Sequence, residues 1–259
     1  MTLALPASWF DRLALRTDEP PRAARVPLFV GDACIGSAEP QLFPQLRLPA
    51  SLVSEHAGGW QVQGDATSSL DAIARAMRDA GLSHSWRDEQ LAVTDEAGRR
   101  VATVERAAVR PLGVTTFAVH LAGTTPDGRH WVQQRALTKA NDPGLWDTLM
   151  GGMVPASDSL EAALERETWE EAGLRMSQLE RVRHGGRVRT RRPSRDCPTG
   201  WIVEWIDWYT CVVPAGVEPR NQDGEVERFA LVDAPELVRK LAGDEFTLEA
   251  ALVLSKSAP

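Results

Sequence analysis

Residues 152–174, GMVPASDSLEAALERETWEEAGL, decide how this chain is read. Arg166 to Leu174 reads as the end of a helix closed by Gly173. Residues three and four apart share a helix face, so Glu167, Glu170 and Glu171 fall within about 100° of arc. Three anionic groups gathered there repel one another unless a cation lies among them. Carboxylate oxygens are the ligands that Mg2+ and Mn2+ prefer. A plain solvated acidic face is the competing reading. Asp158, followed three residues later by Glu161, has the pattern of a helix N-cap with its capping-box partner.

The stretch resembles the Nudix box, G-x5-E-x7-R-E-U-x-E-E-x-G-U with U aliphatic. Gly152, Arg166, Glu167, Glu170, Glu171, Gly173 and Leu174 match at the right spacing. Asp158 stands in place of the Glu, and Thr168 in place of the first aliphatic residue. The resemblance tips the acidic face towards metal ligation. It implies an α/β fold, the Nudix α/β/α sandwich with a mixed sheet and a loop-helix-loop. It also implies a Mg2+ (or Mn2+)-dependent hydrolase of diphosphates, with Glu167, Glu170 and Glu171 as metal ligands and Glu167 and Glu170 as catalytic residues. Gly151 and Gly152, which lack Cβ atoms, would let backbone approach the metal, so Gly152 joins the metal site. Gly151, Asp158, Arg166 and Gly173 are structural in this scheme, with Asp158 pairing to Arg166 rather than to metal.

Outward from the box, Val114–Leu121 reads as a strand, Thr125–Gly128 as a turn and His130–Arg135 as the returning strand. A loop, Lys139–Gly144, leads on through Trp146-Asp147-Thr148 to the paired glycines. Downstream, Gly186–Arg192, Trp201–Val213 and Glu225–Val232 read as strands, and Pro235–Leu241 and Thr247–Leu254 as closing helices. Strands on both sides of the box with helices outside suit the sandwich.

The first hundred residues read as a small α+β domain. Leu5, Trp9 and Leu13 mark an amphipathic helix over 5–16, ended by Pro20-Pro21. Val26–Gly36 reads as a hairpin around Gly31-Asp32, and 40–49 as irregular with one helical turn. Gly59–Gly64 is strand-like. Thr67–Gly81 is a helix with Leu70, Ile73, Ala74 and Met77 in one stripe. Leu91–Thr94 and Val101–Glu105 form another hairpin. The expected division is 1–108, an N-terminal α+β domain without a catalytic constellation, and 109–259, the Nudix domain. The first domain is expected to close over the substrate or to mediate a homodimer.

Trp146-Asp147-Thr148 and Asn221–Glu227 (NQDGEVE) look like one Nudix subfamily in particular. Its members carry an extra N-terminal domain with a strand-rich start, here Val26–Gly36. They are related to the C-terminal part of some thiamin pyrophosphokinase fusions. Plant and fungal members hydrolyse thiamin diphosphate analogues, preferring damaged oxo- and oxy-forms, so a thiamin diphosphate-like substrate is implied. A nucleoside diphosphate derivative such as ADP-ribose is the alternative substrate. A catalytically weak ligand-sensing domain, suggested by Asp158, is an alternative of another class. Nudix-fold isomerase chemistry ranks below both, because no cysteine–glutamate arrangement supporting it is visible.

Composition agrees with an ordinary soluble protein: 43% apolar, 25% charged and a formal charge of −7. The acidic balance argues against general nucleic-acid binding. No apolar run approaches a membrane span, and MTLALPASWFDRLALR lacks a signal-peptide core. Cys34, Cys197 and Cys211 are few and not in ligand spacing, the pattern of reduced thiols in a cytoplasmic protein.

The half of the site that holds substrate is sought elsewhere. Glu225 and Glu227 are candidates for a further metal ligand or general base, against an exposed acidic turn. Residues 181–195 concentrate seven arginines, of which Arg187, Arg189 and Arg191 alternate onto one strand face. Arg187 and Arg189 are taken as phosphate contacts, against a charge-blunted edge strand for most of the run. Arg135 and Lys139 are further phosphate partners. Trp201, Trp205 and Tyr209 line one face of a strand, where they either stack a ring or fill the core. The five histidines have no ligand spacing and carry no assigned role.

Overall fold

The computed structural model describes residues 4–83 and 85–257. Met1, Thr2 and Leu3 of the N-terminal segment, and His84, lie outside the described residues. The first helix, α1 (Ala7–Thr17), buries Trp9 and Leu13 as their spacing predicts. It packs far away in sequence: Trp9 Nε1 donates to Leu241 O at 2.9 Å, and Trp9 and Leu13 join Leu237, Leu241 and Leu254 in one core.

The hairpin forms as β1 (Val26–Val30) and β2 (Ala33–Ala38). The helical turn in the proline-rich stretch is α2 (Leu42–Leu46). Then come β3 (Val53–His56), β4 (Gly59–Val62) and α3 (Ala66–Asp79). These strands make a four-stranded sheet in the order β2-β1-β4-β3, with β1 and β4 parallel. The sequence reading missed β3: only Val53 in it is buried, so it shows no apolar alternation. α3 starts where the Asp65 side chain accepts from Ser68 N–H at 2.9 Å, and it buries Leu70, Ile73, Ala74 and Met77 as expected. The second hairpin is β5 (Gln90–Thr94) with β6 (Arg100–Glu105).

A mixed seven-stranded sheet forms the other half. Its members are β7 (Thr115–Thr124), β8 (His130–Arg135), β9 (Trp146–Asp147), β10 (Met150–Met153), β11 (Glu180–Pro193), β12 (Trp201–Val212) and β13 (Val226–Val232). The main order is β11-β12-β7-β8-β13, with β10 on β7 and β9 on β8. β7 and β12 run parallel, and the remaining pairs are antiparallel. Alternation along β7 sends Val119 and Leu121 to one face, where they pack on Ala163 and Leu164 of α4 (Leu160–Ala172). Ala118 and Ala122 go to the other face. There they meet residues of α5 (Ala234–Ala242) and α6 (Leu248–Ser257), Leu241 and Val253 among them. This is the expected α/β/α sandwich; each fully buried Val or Leu contributes roughly 1.5–3 kcal/mol to it.

The N-terminal half is tied to the half that holds the larger sheet near the starts of β7 and β12. Ala156 N–H donates to Gln90 O at 2.7 Å and Trp201 N–H to Arg110 O at 2.9 Å. Arg25 donates to Thr199 O at 2.8 Å and to Pro111 O at 2.7 Å. The three cysteines are free. Among the described residues no helix is long and apolar enough to cross a membrane.

Candidate active site

α4 begins where Ser159 Oγ accepts from Ala162 N–H at 3.1 Å. Ser159 is therefore the cap, and the reading of Asp158 as the N-cap is corrected. Asp158 Oδ2 instead accepts from Arg166 Nε at 3.0 Å, the pairing implied by the resemblance. One methylene less does not prevent this, because Asp158 sits just before the helix and within reach. The helix ends at Gly173, whose φ of 63° is left-handed. A Cβ there would come within 2.6 Å of Arg220 O, because the 220–222 segment lies across the helix end. Arg220 N–H donates to Ala172 O at 2.7 Å.

Glu167, Glu170 and Glu171 all line one cavity of about 510 Å³. Two of their tips meet on one arginine and the third is turned aside. Glu170 accepts from Arg166 Nη1 at 2.8 Å, and Glu167 lies 3.1 Å from the same nitrogen. Glu171, 2% exposed, accepts from Gln133 Nε2 at 2.8 Å and from Gly151 N–H at 3.1 Å. Glu167 and Glu170 thus share one donor, while Glu171 is turned to two others. Among the described residues no three His, Cys, Asp or Glu side chains are already gathered to hold a metal ion.

The electrostatics nevertheless suit a hard cation. Burial pushes Glu167 up to about 7, with Arg166 opposing and Glu170 adding to it. Burial pushes Glu171 up to about 8, with Lys139 opposing and Glu167 adding. Two buried carboxyl groups therefore hold protons against one another, and a divalent cation would relieve both. A Cβ on Gly152 would run into the Glu167 carboxyl group and displace it from its present position against β10. All-oxygen donors, excess negative charge and close backbone fit Mg2+ or Mn2+.

Lys139 and Arg135 reach the same cavity. Lys139 Nζ pairs with the Glu225 carboxylate and lies 3.9 Å from Glu171 Oε1. Burial works against the Glu225 anion, but the hydrogen bond and charge of Lys139 outweigh it and hold the pKa below its ordinary value. Arg135 Nη2 donates to Asn141 O at 3.0 Å. Glu227 is exposed and lies outside the cavity lining.

Arg187 and Arg189 do not line the cavity. β11 is an edge strand, where Arg187 Nε donates to buried Asp207 at 2.9 Å and Arg189 lies 5.1 Å above the Trp205 ring. Arg191 pairs with Asp18. Of the aromatic face, Trp201 reaches the cavity, whereas Tyr209 belongs to the core under α4.

Several lining residues escaped the sequence reading. Glu89 and Arg106 come from the N-terminal half, so that half walls one side of the cavity. His120, Arg192, Glu204 and Glu249 line it as well. A signal for Glu204 was present: it is the lone carboxylate in the apolar run Trp201–Ile206, and such a charge needs a reason to be there. His120 likewise interrupts an apolar strand.

Comparison with known proteins agrees with this geometry. The sequence profile of the NUDIX domain matches residues 114–251, more than half of the chain. Nudix hydrolase 20 of Arabidopsis thaliana is 28% identical over 186 residues, covering 70% of this chain and 49% of that protein. Isopentenyl-diphosphate Delta-isomerase of Streptomyces coelicolor is 31% identical over 170 residues, covering 65% of this chain and 83% of that protein. The crystal structure of DR0079 from Deinococcus radiodurans shares the fold, with a TM-score of 0.52 at 19% identity over 66% of this chain and all of that one. The chain spans only about half the length of the Arabidopsis relative. With the box residues, the sandwich and the matched profile in agreement, the chain belongs to the Nudix hydrolase family.

Proposed function

We propose that this protein hydrolyses a small organic diphosphate. The observation that carries the reading is the single cavity joining the α4 carboxylates to Trp201, Glu204 and Glu249. Its volume of about 510 Å³ falls in the range of sites for small ligands. A divalent ion held by Glu167, Glu170 and Glu171, with backbone at Gly152, would neutralise charge on phosphorus and lower the pKa of an attacking water. Lys139 and Arg135 are the proposed partners of phosphate oxygens. Glu225, kept anionic by Lys139, is the proposed base, acting on water at the mouth of the cavity.

The favoured substrate is thiamin diphosphate-like, on the strength of the subfamily resemblance around Trp146–Thr148 and Asn221–Glu227. An ADP-ribose-like nucleoside diphosphate derivative is the alternative. Residues 1–108 are proposed as a domain that closes over the substrate, supported by Glu89 and Arg106 in the cavity wall. The ligand-sensor reading loses its motive, because Asp158 keeps its contact with Arg166. The relatives named as isomerases do not displace hydrolysis: among the described residues no cysteine lines the cavity.

Release of phosphate from a diphosphate panel with Mg2+, run beside Glu170→Gln, tests the reading. Hydrolysis by the parent protein that collapses in the variant supports it. Equal, background rates on every compound defeat it.

A further inference from the structure

At the joint between the two halves an acidic chain gathers positive charge. Glu105, fully buried, accepts from the N–H groups of Arg87 at 2.9 Å and Glu89 at 3.1 Å. Arg106 N–H donates to Glu89 O at 2.8 Å and opens a 3-10 turn that leads on to Arg110, whose carbonyl accepts from Trp201 N–H. The backbone at all three arginines is thereby held in place. Their side chains meet: Arg87, Arg106 and Arg110 line one small cavity of about 60 Å³. It adjoins the larger cavity and shares Arg106, Arg110, Asn141 and Asp196 with it.

The arginines are not used up by their partners. Arg106 Nη1 pairs with Glu89 at 2.6 Å, and Arg110 Nη1 pairs with Asp196. Among the described residues the exposed Arg87 guanidinium has no hydrogen-bond or ion-pair partner. Three guanidinium groups thus meet two carboxylates, in a chain whose formal charge is −7. The charges of Arg106 and Arg87 also reach Glu225, which Lys139 already pairs. Room sets the size of the ligand. At about 10–15 Å³ per water, the cavity has space for roughly four to six heavy atoms, which suits a phosphoryl group and excludes a sugar or a substituted ring. A guanidinium fork matches two oxygens of such a group. Three forks suit a tetrahedral oxyanion better than a carboxylate, which one fork satisfies.

We propose that this joint is an oxyanion site for a single phosphoryl group, built by Arg87, Arg106 and Arg110 and separate from the carboxylates of α4. The group is either the terminal phosphate of a phosphorylated substrate or free inorganic phosphate, whose chemistry at the arginines is the same. The site goes beyond the hydrolase reading and does not depend on it. A phosphate bound here contacts the N-terminal half through Arg87 and Arg106 and the segment leading into β7 through Arg110, whether or not a diphosphate is cleaved next door.

Calorimetric titration of the metal-free protein with inorganic phosphate at low salt tests the site. The variants are Arg87→Ala, Arg106→Gln and, as a control for loss of one positive charge, Arg99→Ala in the exposed turn of the second hairpin. Arg106→Gln should weaken phosphate binding by at least about tenfold, the scale of a hydrogen bond to a charged group. Arg87→Ala, whose charge is more exposed, should weaken it by about threefold, and Arg99→Ala should not. A fall in Arg106→Gln or Arg87→Ala beyond that in Arg99→Ala supports the site. No binding by the parent protein, or binding that neither variant weakens more than the control does, overturns it. Should Arg106→Gln not fold, Arg87→Ala decides, because its side chain holds nothing else in place. Steady-state hydrolysis of thiamin diphosphate with Mg2+ then separates the two sources. A KM that rises in Arg106→Gln in step with the phosphate Kd assigns the site to the substrate's own phosphate, and a KM that stays assigns it to free phosphate. Phosphate binding that depends on the arginines in a protein that cleaves no diphosphate keeps the site and removes only the hydrolase reading.

Discussion

Two stretches of this chain are dense in charge, and the fold treats them oppositely. The acidic run of α4 puts Glu167 and Glu171 into a cavity, where burial raises the pKa of both. The arginine run of β11 lies on a sheet edge, where Arg187, Arg189 and Arg191 are taken up by Asp207, the Trp205 ring and Asp18. Charge density alone therefore does not mark a site. What distinguishes the two runs is desolvation: α4 holds more negative charge than its buried surroundings neutralise, whereas β11 holds charges that water and neighbours already satisfy.

The contrast can be broken most sharply at α4. Glu170→Gln should lower kcat by about 10³-fold with little change in fold, the scale of removing a catalytic group. Retained activity would remove the functional half of the comparison. Stability against pH tests the electrostatic half. Glu167 and Glu171 have folded pKa values of about 7 and about 8, above the ordinary 4.5. The folded state therefore binds more protons than the unfolded one across that window, and stability falls as pH rises from about 4.5 to about 8. Metal-free protein should lose a few kcal/mol of stability over this range in urea titrations. The loss should be smaller in Glu171→Gln, and Mg2+ should restore stability at the alkaline end. A parent slope no steeper than that of Glu171→Gln would count against buried, mutually repelling carboxyls.

Smaller effects sharpen the comparison further. Gly173→Ala forces a Cβ into a left-handed position and against Arg220 O, so thermal unfolding should report a loss of about 1–3 kcal/mol. The smallest effect belongs to β11. Arg189→Ala should leave kcat/KM within about twofold and cost less than about 1 kcal/mol, as expected of an exposed charge. A large fall in kcat/KM for Arg189→Ala would return the arginine strand to the active site.

The box was legible because its information is local. Helix spacing places Glu167, Glu170 and Glu171 on one face without any knowledge of the rest of the chain, and Gly152 and Gly173 mark a close approach and a left-handed end. β7 and β12 were legible because most of their residues are buried and apolar, whereas the short strands β9 and β10 were read as loop. β3 was not legible, because a short strand with one buried residue has no periodicity to read. The capping role of Ser159 was hidden by an equally plausible neighbour one residue earlier.

The rest of the cavity lining could not be found this way. His120, Arg192, Glu204 and Glu249 are single polar residues scattered over the chain, brought together by β7, the β11–β12 pair and α6. Glu204 and His120, each interrupting an apolar strand, carry a local signal, whereas Arg192 and Glu249 taken alone read as incidental polar residues. Local chemistry and spacing were enough for the family, the sandwich and the carboxylate face, because a helix carries its own geometry. Which charges stay solvated and which are buried around a cavity depends on contacts between distant segments, so the rest of the lining emerged only from the folded chain.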